Sequence, residues 1–462
     1  MATEGNHTRE TPLSAYGKPI AEYQGSGIFM ATDRQTYSCK FVAGQMVDGT
    51  TLLLCDITLL KGQTLSSENL MDIKFLGETE DGWKIWTEKS IAPINNLSNW
   101  GSVIRYSFLL SNLFVQTSER SKPEIINFKV TNFEFCGPSN HRKYLELVLP
   151  ELNKIQILQI DGYDEIMTRV RTLKKIDVTC EIIIDVAVET SLKKYEDLMN
   201  EFCLICSVAR GTKSHWICYD VRNSQKSLIF RAHYSAITRP YAPLHAIIDK
   251  GIFGADETKY FLEHGFATVV NNPQLRENLP VLVNSYVNAK KTDYWEMKGL
   301  NVVVVFEMLK NYALKNPDMK IDEFILSDVT FEKLIGSLKN TVSKSGLCPE
   351  QRGKIYPNLN GINRTSFRFI LTKFCEQIQL EIEASDYRSL IASRNKLVHE
   401  GRFYSDCASR EERERFNPFS SRAEEYFFIV NFLDKVFLRL FDYRGPYINC
   451  RYPENITRKD RI

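Results

Sequence analysis

The feature that most constrains this chain is a change of hydrophobic period part-way along it. From Gly25 to about Val186, apolar residues come in short β-type runs: Gly27–Ala31, Tyr37–Val42, Thr51–Thr58, Gly82–Trp86, Ile125–Phe135, Tyr144–Leu149 and Ile155–Ile160. Turn formers such as Glu80-Asp81-Gly82 and Asp161-Gly162 separate them. Many short strands with frequent turns predict an antiparallel sandwich or a related β-rich domain. The period then switches: Leu192, Tyr195, Leu198, Met199, Phe202, Ile205 and Ala209 fall on one helical stripe, which should pack on the sheet. Strands resume near Ser214–Tyr219 and Ser227–Tyr234, the Pro-containing stretch Thr238–Pro243 closes this part, and a connecting region runs to about Pro280.

Beyond it the pattern is helical. Asn301–Leu314 carries Val302, Val305, Phe306, Leu309 and Ala313; its four consecutive valines also suit a strand, but its length favours helix. Phe331–Val342 and Ser366–Leu380 are amphipathic, and Asp386–Glu400 should end at Gly401. Ser421-Arg422-Ala423-Glu424 reads as a capping box opening a long apolar helix to about Tyr443. The expected fold class is therefore α+β: an N-terminal β-rich, sandwich-like domain over residues 1–270, and a C-terminal helical bundle over 271–462 whose core runs from about Leu279 to Tyr443.

Composition narrows the function classes. A length of 462 residues with 43% hydrophobic content suits two or three globular domains. The formal charge is only +2, from 59 basic and 57 acidic residues, so any nucleic-acid site must be local. The 11 cysteines are scattered and often sit inside apolar runs, which reads as reduced thiols in a cytosol. The first residues are polar and no long apolar run appears, so the expected location is cytoplasmic, with no membrane partner.

One segment carries chemistry: Arg394-Asn395-Lys396-Leu397-Val398-His399. In the helix from Asp386, the residues Tyr387, Leu390, Ile391, Leu397 and Val398 form the apolar stripe, and Arg394 sits inside it. A guanidinium aimed at a bundle needs a carboxylate, a set of carbonyls or an anionic ligand. Asn395 and His399 are four residues apart and share a neighbouring face, which Arg394 can reach across. An imidazole can move the proton of an attacking 2′-hydroxyl, and arginine can hold the phosphate. Arg210 to His215 and Arg239 to His245 have similar spacing, but Gly211 and Pro240 follow those arginines. The plain alternative is that Arg394 pairs with an acid and His399 only caps the helix end.

RNKLVHEG, late in a helical domain, resembles the signature of HEPN domains, helical bundles that dimerise around an arginine and a histidine; many are toxin or defence ribonucleases. A β-rich half joined to such a bundle is similar to the ApeA-like bacterial proteins of abortive phage defence. The resemblance implies Arg394 and His399 as the catalytic pair, with Asn395 the polar residue after the arginine. Glu307, in VVVVFEMLKNYALKN, matches an acidic position of the first helix; it is the expected partner of Arg394 and, secondarily, a catalytic candidate. Arg402 and Lys396 are candidate RNA contacts. The function implied is a metal-independent endoribonuclease, a homodimer through the helical domain, acting on RNA such as tRNA in phage defence. Its β-rich half would sense a trigger, including a phage-derived one. The competing reading is a dimeric module that holds RNA or a nucleotide without cutting it.

Other motifs weigh little. Cys203, Cys206, His215 and Cys218 offer zinc ligands at irregular spacing and read as core thiols beside a histidine. Gly25-Ser26-Gly27 reads as a turn before a strand, and no Walker-type sequence is present, so no cofactor and no metal are expected. The mixed-charge run Ser409–Arg415 reads as a solvated segment, and the five tryptophans as core or rim residues.

Overall fold

Alternating burial is the physical signature of the first half. In the computed structural model, Ile125–Thr131 and Tyr144–Leu149 bury every second residue. The structure describes residues 13–461 apart from 60–64, 66–69, 71, 89, 101–102, 137–142, 188–189, 236–245, 250–255, 292–293, 408–418 and 452–458. The chain divides into two units, Met1–Asn271 and Asn272–Ile462.

The strands of the first unit are β1 (Pro19–Met30), β2 (Thr36–Met46), β3 (Thr51–Thr58), β4 (Lys74–Thr79), β5 (Lys84–Thr87), β6 (Ser90–Trp100) and β7 (Val103–Leu110). They continue as β8 (Asn112–Gln116), β9 (Ile125–Thr131), β10 (Tyr144–Leu149), β11 (Asn153–Gln159), β12 (Val178–Asp185), β13 (His215–Arg222) and β14 (Leu228–Tyr234). They form one 14-stranded sheet in the order β10-β11-β12-β9-β13-β14-β8-β5-β4-β1-β2-β3-β7-β6. Every pairing is antiparallel.

A sheet this long must curl to bury a face. Tyr23 of β1 bonds His233 of β14 at 3.0 Å, although β8, β5 and β4 lie between those strands in the ladder. Gln45 of β2 donates to the carbonyls of Ile217 and Tyr234 at 2.9 and 3.0 Å. The facing layers are thus parts of one rolled ladder, with Phe29, Tyr37, Phe41, Phe75 and Phe108 packed in its core. Helix α2 (Leu192–Arg210) lies on the sheet, where Tyr219 and Tyr234 both donate to Glu196 at 2.9 Å. Two further helices, α1 (Tyr163–Leu173) and α3 (Asp256–Asn271), complete the unit. Helix α3 covers the edge strand β10: Glu263 accepts from Val148 N at 2.8 Å, and Lys259 donates to the Glu146 carbonyl at 2.6 Å.

The second unit holds α4 (Pro273–Ala289), α5 (Trp295–Lys315), α6 (Asp328–Lys344), α7 (Pro349–Leu359), α8 (Phe367–Gln377), α9 (Ala384–Glu400), α10 (Tyr404–Cys407) and α11 (Arg422–Leu440). Helix α5, the valine-rich one, is central and packs against α4, α8, α9 and α11. A short antiparallel ribbon, Pro446–Ile448 with Lys459–Arg461, follows α11, so the unit is not wholly helical. Among the described residues no helix is long and apolar enough to cross a membrane.

Several local expectations are corrected. The supposed connection before Pro280 is largely helix: Pro273 occupies the first turn of α4, where its missing N–H costs nothing, and Asn272 caps it by accepting from Leu275 N at 2.9 Å. Pro280 lies inside α4 and does not end it. Gly25-Ser26-Gly27 is not a turn but the middle of β1, where a Cβ on Gly25 would stand 2.0 Å from the Glu78 carbonyl oxygen. The box at Ser421 is half made: Ser421 accepts from Glu424 N at 3.2 Å, while the Glu424 carboxylate turns to Ser420. The Thr238–Pro243 stretch and the Ser409–Arg415 run lie outside the described residues.

Candidate functional site

The site begins with a close approach of two helices. On α9, Tyr387, Leu390, Ser393 and Leu397 are buried, so the buried stripe runs beside Arg394 and leaves Val398 40% exposed. On α5, a Cβ at Gly299 would stand 2.7 Å from the Phe403 ring and 2.9 Å from the end of the Leu397 side chain, so a larger residue there would have to displace the buried side chains of α9 and of the segment after it. That contact brings Arg394 against Glu307, which follows the buried Phe306 on α5.

Arg394 is held by three bonds. Its Nε and Nη2 donate to Glu307 Oε1 at 3.0 and 2.6 Å, and Nη1 donates to Asn395 Oδ1 at 2.9 Å. Lys310, one turn along α5, occupies the other oxygen of Glu307 at 2.6 Å. The Phe367 ring, at the start of α8, lies 5.0 Å from the guanidinium carbon. Burial pushes the Glu307 carboxyl up, but the hydrogen bonds and charges of Lys310 and Arg394 outweigh it and hold the group below its ordinary value. Held in this way, Glu307 anchors Arg394 through Oε1. Glu307 takes the side of the guanidinium, and of the five N–H groups of an arginine the three bonds leave two for an anion. The arginine side chain keeps 18% exposure.

The bond to Asn395 draws the guanidinium towards the face that carries His399 one turn further on. His399 is exposed in the last turn of α9, and no described residue bonds its ring. Gly401 ends the helix at φ +66, its N–H donating to the Leu397 carbonyl at 3.2 Å. Lys396 pairs with Glu400 of the same helix at 2.7 Å, and Arg402 is exposed. Arg394, Asn395 and Glu307 are thus gathered by direct bonds, while His399, Lys396 and Arg402 are neighbours by helix geometry. Lys310 and Phe367 escaped the sequence reading. The spacing Glu307 to Lys310 is visible along a helix, whereas nothing in the order of residues connects Phe367 to Arg394.

The rival Arg-to-His segments separate cleanly. Arg210 is 1% exposed and donates to the Glu134 and Ile248 carbonyls and to Thr258, which makes it a buried strut of the first unit. Arg239 and His245 lie outside the described residues. Cys203, Cys206 and Cys218 are buried free thiols, and burial pushes Cys203 and Cys218 up to about 12. Among the described residues no group of three or more His, Cys, Asp or Glu is arranged to hold a metal. Trp216 rests edge-on against Phe128 and Tyr234, and Trp295 against Tyr426. Comparison of the chain with family models, curated proteins and solved structures returns no match.

Proposed function

We propose that the helical unit is a metal-independent endoribonuclease acting as a homodimer. The observation that carries the reading is an arginine anchored side-on by Glu307, with N–H groups left for a phosphate, beside an exposed histidine one helical turn away. A buried structural arginine would spend its donors inward, as Arg210 does.

In this reading Arg394 binds the scissile phosphate and stabilises the charge that grows on its oxygens. His399 accepts the proton of the ribose 2′-hydroxyl; the 2′-oxygen bonds phosphorus and the bond to the 5′-oxygen breaks. That oxygen leaves with a proton from the His399 of a second copy, because one chain supplies one such imidazole. The products are a 2′,3′-cyclic phosphate and a 5′-hydroxyl. The resemblance to HEPN and ApeA-like proteins supports phage defence as the setting, structured RNA such as tRNA as the substrate, and the β-rich unit as the part that answers to a trigger.

The test is cleavage of total tRNA and mRNA in EDTA by wild type, Arg394→Ala and His399→Ala, with the chemistry of the new ends determined. Wild type should cut and leave cyclic phosphates, with each variant slower by at least about 100-fold. Specific activity should rise with protein concentration as copies associate. Three equally inert proteins, of which wild type alone binds RNA, would leave an anion-holding module and remove the catalytic claim.

A further inference from the structure

The helices leading to the site deepen the ribonuclease reading, on which this inference rests. From Asp328 to Lys373 there are eight lysines and arginines against three acids, in a chain whose formal charge is only +2. Two of the eight pair locally, Lys354 with Glu350 and Lys373 with Glu376. Lys333, Lys339, Lys344, Arg364 and Arg368 are exposed, and they form no ion pair with any described residue. Lys333 and Lys344, eleven residues apart, share one face of α6.

The fold strings these charges towards Arg394. The segment before α6 is tied to the segment before α8: Phe324 bridges Arg364, Ile325 N donates to the Asn363 carbonyl at 2.8 Å, and the Asn363 side chain bonds both backbone groups of Leu326 at 2.8 and 3.0 Å. Helix α6 therefore starts beside Arg364, with Lys333 in its second turn. Arg368 follows Phe367, whose ring lies 5.0 Å from the Arg394 guanidinium carbon. Two aromatic rings are exposed: Phe324, across from Arg364, is 47% exposed, and Phe369, next to Arg368 and with the Lys373 ammonium 5.9 Å from its centroid, is 52% exposed.

We propose that Lys333, Lys344, Arg364 and Arg368, with Phe324 and Phe369 between them, form a track that holds an unpaired stretch of RNA, such as a loop of a structured RNA, and feeds it to Arg394. Cations meet the phosphates, and the open rings stack bases irrespective of sequence. An acidic protein partner would use the charges but has no need of two solvent-facing rings.

The test measures binding of a labelled 2′-O-methyl oligoribonucleotide, which cannot be cut by 2′-hydroxyl attack, at several salt concentrations. Proteins compared are wild type, the variant Lys333→Gln/Lys344→Gln/Arg364→Gln/Arg368→Gln, and the charge-keeping variant Arg364→Lys/Arg368→Lys. The four-charge variant should bind at least about tenfold more weakly near 0.1 M salt, and lower the slope of log affinity against log salt by about 3. The lysine variant should keep the wild-type slope, and Phe369→Ala should bind about five- to 100-fold more weakly. An unchanged slope in the four-charge variant overturns the track and leaves these cations to an acidic protein. Equal loss in the lysine variant overturns it too, because charge would then not be the cause. Cleavage of unmodified RNA separates the two readings: cutting with an unchanged slope sinks the track alone, and the expected slope without cutting sinks the nuclease alone.

Discussion

Glu307 is held between two cations, and this has a measurable consequence at the residue scale. Its carboxyl is depressed in the folded chain, so the stability it contributes is complete above the unfolded value of about 4.5 and disappears as pH falls through the lower folded value. Glu307→Gln should therefore cost about 1–3 kcal/mol at pH 7, and the difference from wild type should shrink at the acid end of a urea-denaturation series. A constant difference across pH would mean that shape, not charge, matters at this position. Arg394→Lys keeps the charge but cannot reproduce the side-on pair of bonds to Glu307 or the reach to Asn395. It should cut RNA at least about tenfold more slowly than wild type, in the same cleavage assay.

At the scale of elements, packing of α5 decides whether the site assembles. A buried charge couple locks two of the helices that pack on α5: Lys290 and Asp434 are both fully buried at 2.6 Å, and Tyr286 donates to the same Asp434 oxygen at 2.6 Å. The pair joins the end of α4 to the middle of α11 and so holds their register. Asp434→Ala would leave the Lys290 ammonium buried without its carboxylate, and should cost about 3–5 kcal/mol by chemical denaturation. Glu425 does related work nearby, its two oxygens accepting from Tyr404 N and Ser405 N at 2.9 and 2.8 Å, which places the chain that follows α9. Gly299→Val should drive Phe403 and Leu397 off α5, costing about 1–3 kcal/mol and lowering RNA cleavage with it. Full activity in that variant would remove the packing argument for the site.

At the scale of the molecule, the rolled sheet of the first unit depends on polar bonds across its interior. Gln45 spends its amide N–H groups on two carbonyls, so its oxygen must accept from His233 Nδ1, at 2.9 Å, and Nε2 must accept from the Tyr23 hydroxyl. Burial, with Arg231 nearby, pushes His233 down from 6.5 to about 3. The folded unit thus keeps this ring neutral while the unfolded chain takes up a proton, so stability falls as pH drops from 6.5 towards 3. Between pH 7 and 5 the loss should be about 2 kcal/mol in urea denaturation, and His233→Gln should be insensitive by that amount.

What the order of residues determined by itself was local. Period-two runs made strands, the Leu192 stripe made α2, the length of the valine-rich stretch made α5 a helix, and Gly401 ended α9. The Arg394-to-Glu307 pair was legible because a charge beside an apolar stripe demands a partner, although the structure sets Arg394 at the edge of the buried stripe and not within it. Strands such as β6 were less legible: it carries Pro93, Asn95 and Asn96, which an edge strand with register shifts tolerates. Tertiary structure alone decided that fourteen strands form one ladder, that Tyr23 meets His233 from 210 residues away, that α6 keeps only Ile335 buried, and that Lys310 and Phe367 close around Arg394. Those outcomes depend on which faces meet in space, and the energies that choose among them are contacts between residues far apart in the chain.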